Sequence, residues 1–418
     1  MRQSQLFTKT RREDPKDELA HNAKLLIRAG FVNKELAGVY SWLPLGLRTV
    51  NKLIAIIREE MNALGGVELS LSALQNRDLW QKSGRWDDQV FDAWFKTTLF
   101  SGGETGLAPT HEEALTSLMK DHLNSYKDLP IYAYQFQTKF RNELRAKSGL
   151  LRGREFLMKD LYSFNDSQAG LDDFYDQVKG AYERIYERVG LGDSTYITFA
   201  AGGSFSKYSH EYQTLSEAGE DTIFVSQDKR LAVNKEVLTE ETLSELGLKR
   251  EDLKESRSIE VGNIFKLGTK FSDALGLFFT DQNGQKQPVL MGSYGIGVSR
   301  LVGVVAEVLA DERGLVWPKS VAPFPAHLIW VPGQGEASAE AADRLYQELT
   351  KAGHETLYDD RPLPAGEKFA DADLLGLPYR VVVSDKTLAV GKLELKNRST
   401  GETLMVSQAE LTSLCFGE

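Results

Sequence analysis

The sequence predicts an α+β domain built on an antiparallel sheet, followed by a separate C-terminal α/β domain. Three observations carry this reading. Residues 131–164 run as IYAYQFQTKF, a polar and basic stretch RNELRAKSGLLRGR, then EFLMKDLYSF, the pattern of a long antiparallel hairpin. After VWPKSVAPFP, rich in proline, the chain alternates strand (HLIWVP), helix (338–352), strand (HETLYDD), helix (366–376) and strand (YRVVVS), as an α/β domain with some parallel strands does. The third is length: 418 residues, at roughly 150 per domain, leave room for two or three domains and too much chain for one core.

The elements follow in order. The first 70 or so residues read as helical. Leu47, Val50, Leu53, Ile54, Ile57, Met61 and Leu64 recur at spacings of three and four, with Arg58, Glu59 and Glu60 opposite, which defines an amphipathic helix. Gly65 and Gly66 can end it, and Val67, Leu69 and Leu71 then alternate with polar residues as a half-buried strand. Leu171, Phe174, Val178, Tyr182, Ile185 and Val189 mark a second helix over 171–189. Residues 226–258 are highly charged and poor in aromatics, so they read as a small surface insertion with one helix. The domain boundary falls near residue 322.

Composition narrows the class. The 41% hydrophobic and 26% charged fractions are those of a folded soluble protein. No apolar run approaches the ~20 residues a bilayer requires, and the N-terminus lacks a signal-peptide core, so no membrane association is expected. The only cysteine, Cys415, forbids an internal disulfide and a cysteine-rich zinc site, which fits a reducing cytoplasm. The six histidines contain no HxxxH pair, so no metal site is expected. A net charge of −10 argues against nucleic acid as a partner without excluding it, since a local basic groove acts within a Debye length of ~8 Å.

Three segments place charge or glycine where packing alone would not ask for it. Phe140-Arg141-Asn142-Glu143, with Arg152 four residues before Phe156, could face one pocket from adjacent strands. The arginines would meet phosphates, the carboxylate an amino group and the ring a base; the alternative is a solvated charged hairpin. Gly292-Ser293-Tyr294-Gly295-Ile296-Gly297-Val298-Ser299-Arg300 suggests a glycine-rich strand-to-helix turn, with tight packing as the alternative. Its GxxGxG spacing is not the dinucleotide fingerprint. In Pro109-Thr110-His111-Glu112-Glu113, a strand would put Thr110 and Glu112 on one face to accept from an ammonium. A helix start capped by Thr110, with Glu113 completing a capping box, reads the same residues without function.

Taken together, in this order, these segments resemble the class II aminoacyl-tRNA synthetases, and most closely the bacterial prolyl-tRNA synthetase family in a short form. Phe140–Glu143 with Arg152 and Phe156 is similar to motif 2, Gly295–Arg300 to motif 3, and Pro109–Glu113 to the proline-recognition loop. LPLGLR, DLWQKSGRW, GREFLMKDLYSF, SHEYQ, EVGNIFKLGTKFSDA and GSYGIGVSR extend the likeness along the chain, and GEKFADADLLGLPYRVVVSDK and LELKNR resemble the anticodon-binding domain.

The resemblance implies an antiparallel class II sheet in a catalytic domain over 1–225 and 259–322, a shortened insertion at 226–258 where many members carry an editing domain, and an anticodon-binding domain over 323–418. It implies an enzyme, a proline–tRNA ligase, with ATP as substrate, Mg2+ on its phosphates, and L-proline and tRNA(Pro) as partners. Arg141 and Arg300 would be catalytic; Arg141, Glu143, Arg152, Phe156, Gln213 and Arg300 would bind ATP; Thr110, Glu112, Arg141, His210 and Ser293 would bind proline. Asp371, Lys396 and Arg398 would meet the anticodon, with solvated surface charges as the alternative. A cytoplasmic homodimer is implied, as is a separate trans-editing protein, because a pocket shaped for proline cannot exclude the smaller alanine.

Two features depart from the family. Ser72 stands where motif 1 normally has its interface proline, and the insertion is short. Two other classes share parts of the pattern. A non-catalytic paralogue would tend to lose the motif arginines, all present here, and a threonyl or glycyl ligase would differ at Thr110-His111-Glu112.

Overall fold

The computed structural model describes residues 1–417 apart from Lys147 and residues 203–207. It comprises two compact units, one of Met1–Glu35, Tyr40–Leu53 and Val305–Glu418, the other of Leu36–Val39 and Ile54–Val304. These units are not collinear with the expected 1–225, 226–258, 259–322 and 323–418. The N-terminus docks on the C-terminal sheet: Arg2 bridges Tyr358, and the Tyr358 N–H donates to the Met1 carbonyl at 2.8 Å.

Local chemistry sets the elements. The helix Pro44–Ala63 buries Val50, Leu53, Ile57 and Met61 as the spacing predicts, while Leu47 is exposed. Gly65 ends it in the left-handed region at φ 79°, where a β-carbon would be strained. The first residues are not all helical, however. Strands Val32–Leu36 and Val39–Trp42 interrupt them, joined by a tight turn that Gly38 makes at φ 77°. The helix Gln168–Arg188 starts at Ser167, whose hydroxyl accepts from the Gly170 N–H, and buries Leu171, Phe174, Val178, Tyr182 and Ile185.

Among the described residues, the second unit is organised by a nine-stranded sheet. The predicted hairpin is there: Ile131–Phe140 pairs antiparallel with Glu155–Asn165 from Ile131↔Phe164 to Phe140↔Glu155. Glu155–Asn165 pairs with Leu290–Gly297, and that with Lys254–Gly268. Lys254–Gly268 then pairs with both Asp221–Ser226 and Tyr208–Leu215, so the far end of the sheet closes on itself through Thr195–Ala201 and Leu231–Asn234. Leu231–Asn234 comes from the charged stretch, which therefore contributes a strand as well as its one α-helix, Glu240–Leu246. Val233, Leu243 and Leu248 give that stretch a small core, the apolar signal its charge concealed.

Register divides the sheet into two faces, because paired residues share a side and alternate residues do not. Tyr294, Leu161, Ile264 and His210 lie in one row, on the face that the aromatic residues of Gln168–Arg188 cover. Asp160, Tyr162, Ser293 and Gly295 point to the other face. Helices Glu112–Met119 and Lys270–Leu275 cover one end of that face through a core of Leu115, Met119, Phe271, Phe164 and Met291.

In the first unit, Thr356–Asp359, Ala326–Trp330 and Tyr379–Val383 are parallel, and Leu393–Asn397 and Thr403–Val406 add antiparallel. The helices Ala337–Lys351 and Ala365–Leu375 follow the predicted order to within a residue or so at each end. Among the described residues, no helix is long and apolar enough to cross a membrane.

Candidate active site

The hairpin connection, Arg141–Arg154, is held at its root. Phe140 N–H donates to Ala108 O and Asn142 N–H to Ala93 O, each at 2.9 Å, while Arg141 N–H closes on Arg154 O at 2.8 Å. That geometry puts Arg141, Glu143 and Arg152 on the wall of a cleft of about 240 Å³, which Arg300, Glu260 and Glu220 complete. Arg300 reaches it from the first turn of the helix that follows the glycine-rich strand, where Gly297 leaves only 3.1 Å between a would-be β-carbon and Arg300 Cβ.

Carboxylates aim the guanidinium groups. Arg152 pairs with Glu143 at 2.8 Å and with Glu220 at 2.7 Å. Arg300 Nη1 donates to the Glu260 carbonyl at 2.6 Å and to its carboxylate at 3.2 Å. Arg141 instead lies 5.3 Å over the Phe156 ring and donates from Nε to Pro109 O at 3.3 Å. Burial, then the neighbouring Arg300, lowers its pKa, so the site holds its cations close together at an electrostatic cost that an anion relieves. Three arginines and four carboxylates, Glu143, Glu220, Asp221 and Glu260, thus line one cleft, a charge set able to meet both anionic and hydrogen-bond-donating groups of a ligand.

Gln213 lies behind this wall, fully buried. Its amide donates to Glu211 at 2.8 Å and Asp221 at 2.9 Å, and its Oε1 has no partner. Burial, with Glu260 and Asp221 nearby, pushes the Glu211 carboxyl up to about 7. Among the described residues, no group of three or more His, Cys, Asp or Glu is placed to hold a metal by itself.

The Pro109–Glu113 loop meets the cleft through Arg141. The helix begins at Glu112, and its cap position is His111, whose side chain caps nothing; neither the strand nor the Thr110 cap expected from the sequence is formed. Even so, Thr110 and Glu112 are adjacent, with Thr110 Oγ1 donating to Glu112 Oε2 at 2.5 Å. Ser293, opposite Tyr162 in the ladder, shares their side of the sheet, and the Tyr162 hydroxyl lies 3.4 Å from Thr110 Oγ1.

Residues that sequence reasoning did not single out hold this loop. Arg85 donates to Glu112 at 3.2 Å and Glu113 at 3.1 Å, its guanidinium packed over Trp80, Phe91 and Phe271. Lys139, fully buried, donates to Asp160 at 2.8 Å and to His111 Nδ1 at 2.5 Å, and Asp160 accepts from Tyr162 at 3.0 Å. His111 Nε2 therefore carries the proton and donates to Ser72 O at 3.1 Å. Burial and Lys139 depress the His111 pKa to about 4, and burial beside Glu112 raises that of Glu113 to about 7. The signal for Arg85 and Asp160 was their position inside DLWQKSGRW and GREFLMKDLYSF.

Other expected residues are not brought to this site. His210 lies on the helix-covered face, with Nδ1 2.7 Å from the Tyr175 hydroxyl and its ring against Phe199, across the sheet from Thr110 and Ser293. Strand alternation is the cause, since His210 is in register with Ile264 and Tyr294. In the other unit, Arg398 forms a bidentate pair with Asp311 at 2.6 Å and is nearly buried. Asp371 accepts from Arg361 at 2.8 Å and from Thr10 at 2.7 Å. Lys396 lies 3.8 Å from Asp373, the loosest pairing of the three.

Residues 95–309 match the family described as tRNA synthetase class II core domain (G, H, P, S and T), and residues 326–415 that described as anticodon binding domain. Curated relatives bear the name proline–tRNA ligase. That of Maricaulis maris (strain MCS10) is 39% identical over 438 aligned positions, covering 99% of this chain and 98% of the relative. That of Geobacillus sp. (strain WCH70) is 36% identical over 560, covering 98% of each. The second alignment exceeds the length of this chain, so that relative carries inserted sequence absent here; the first needs very little. A crystal structure of prolyl-tRNA synthetase from Cryptosporidium parvum, complexed with L-proline and AMP, superposes with a TM-score of 0.76 at 17% identity over 96% of this chain and 75% of that one, which establishes a shared fold.

Proposed function

We propose, since this chain belongs to the proline–tRNA ligase family of class II tRNA synthetases, that it joins L-proline to tRNA(Pro) in two steps. A proline carboxylate oxygen attacks the α-phosphorus of ATP, forming prolyl-adenylate as pyrophosphate leaves. A ribose hydroxyl of the terminal adenosine of the tRNA then attacks the prolyl carbonyl, and AMP leaves.

One observation carries the reading: Arg141 lines the arginine cleft while hydrogen-bonded to the loop that presents Thr110 and Glu112. A guanidinium so placed touches proline carboxylate and α-phosphate together, restrains the attack to an in-line path and offsets the charge that develops. Glu143 accepts from the adenine amino group, Phe156 stacks on the ring, and Arg152 and Arg300 hold the γ-phosphate end. Gln213, with its free buried Oε1, supports the ribose side. Thr110 and Glu112 accept from the secondary ammonium of proline, with Ser293 on the same side of the sheet. The carboxylates of Asp221 and Glu260 line the cleft and suit Mg2+, which takes oxygen ligands and, when bound to the phosphates, offsets charge on the departing pyrophosphate.

The C-terminal domain holds the anticodon loop; Lys396 is the expected residue with the most freedom to contribute. The enzyme acts as a cytoplasmic homodimer. It leaves alanyl-tRNA(Pro) to a separate editing protein, and for this last point the support is the small 226–258 segment and a relative that aligns with little insertion. Pyrophosphate exchange into ATP, run against a panel of amino acids, tests the proposal: proline must support the fastest exchange, and a faster threonine or glycine reaction would overturn it.

A further inference from the structure

The loop that carries Glu143 and Arg152 exposes Leu144, which is 93% accessible. Its side chains can meet a nucleotide reproducibly only if both ends of the loop are fixed. The strand Ile131–Phe140 fixes the first end. The second is held from outside the sheet, by the turn Ala37–Gly38. The Gly38 carbonyl accepts from the Arg154 N–H at 2.7 Å, and the Ala37 carbonyl from Arg154 Nη1 at 3.0 Å. The same guanidinium donates through Nε to the Glu143 carbonyl at 3.0 Å, and the Arg154 carbonyl accepts from the Arg141 N–H at 2.8 Å. One residue therefore joins the turn to the backbone of both Arg141 and Glu143.

The approach is too close for a side chain at the turn. A β-carbon on Gly38 would lie 2.6 Å from Ala146 Cβ and 3.0 Å from Arg154 N, at a φ of +77°. On Gly153 it would lie 3.1 Å from the Gly38 carbonyl. Leu36–Val39 groups with the catalytic unit although its flanking residues do not.

We propose that the Ala37–Gly38 turn positions ATP, acting through Arg154 on Glu143 and Arg152. Arg154 is not among the residues lining the cleft, so it is a positioning residue. The inference rests on the reading of Arg141, Glu143 and Arg152 as nucleotide-binding groups. Its effect falls mainly on ATP, because Thr110 and Glu112 are held by Tyr162 and Arg85, and Arg141, which also meets proline, bonds to the Arg154 backbone carbonyl that Arg154→Ala retains.

Steady-state pyrophosphate exchange, with ATP and proline varied separately, tests it on the full chain. Arg154→Ala and Gly38→Ala should each raise the KM for ATP about tenfold, a small misplacement of the loop, and leave the KM for proline nearly unchanged. Arg154→Lys, able to reach only one of the two carbonyls, should recover part of the loss. An unchanged KM for ATP in Arg154→Ala, an equal rise in both KM values, or a loss confined to kcat would overturn the proposal. If Gly38→Ala does not fold, Arg154→Ala decides alone, since it imposes no backbone strain. Absence of proline-dependent exchange in the unaltered protein would overturn the functional reading itself, a distinct outcome.

Discussion

Arg141 Nε and the carbonyl oxygen of Pro109 are joined by a 3.3 Å hydrogen bond, which ties the end of a core strand to the loop that presents Thr110 and Glu112. Under the proposed function, the bond makes one guanidinium the shared boundary of the nucleotide and proline subsites. Arg141→Ala should therefore lower proline-dependent exchange by roughly 100-fold or more, the cost of removing one preorganised transition-state donor. Arg141→Lys should fail similarly, because a point charge cannot span both partners.

Glu112→Gln keeps the shape of the side chain and removes the charge proposed to meet the proline ammonium. The KM for proline should rise about 10- to 100-fold, in line with a charge-assisted hydrogen bond worth ~1.5–3 kcal/mol. Thr110→Val should have a smaller effect in the same direction, and the KM for ATP should move little in either variant.

His111 offers a pH test. Its pKa is depressed to about 4 from 6.5, so the unfolded chain protonates it first as pH falls. Stability that is present above pH 6.5 is lost between 6.5 and about 4. Relative to His111→Gln, the unaltered protein should lose about 1–2 kcal/mol on going from pH 7 to pH 5, read as the difference between their urea midpoints at each pH. A difference constant with pH would contradict the burial argument.

Arg398→Ala separates a structural charge from an RNA contact. Its bidentate pair with the half-exposed Asp311 predicts a loss of about 1.5–3 kcal/mol, that of a charge-assisted hydrogen bond, visible as a lower melting temperature, with the KM for tRNA nearly unchanged. Lys396→Ala should show the reverse.

Purified enzyme incubated with alanyl-tRNA(Pro) should hydrolyse it no faster than buffer does. A pocket that admits proline gains only ~1–3 kcal/mol per methylene against alanine, so mischarging without self-correction is expected.

The helix faces, the long hairpin and the C-terminal alternation were legible because each is written in local periodicity. The convergence of Arg141, Arg152 and Arg300 came only through the family resemblance and not from periodicity; it depends on a non-local ladder that brings Leu290–Gly297 beside Glu155–Asn165. His210 shows the same limit from the other side, since one residue of register decides which face it joins. The strand Leu231–Asn234 was hidden by its charged surroundings, and the turn at Gly38 by an apparently helical context. Arg85 and Lys139 carry no periodic signal: their meaning lies in the carboxylates they reach across the fold.

A crystal structure with L-proline and a non-hydrolysable ATP analogue tests the shared boundary most directly. It should place the proline carboxylate and the α-phosphate both within hydrogen-bonding distance of Arg141, with the proline nitrogen on Thr110 and Glu112. A nucleotide bound away from Arg141, or a proline nitrogen turned away from Glu112, would contradict the account.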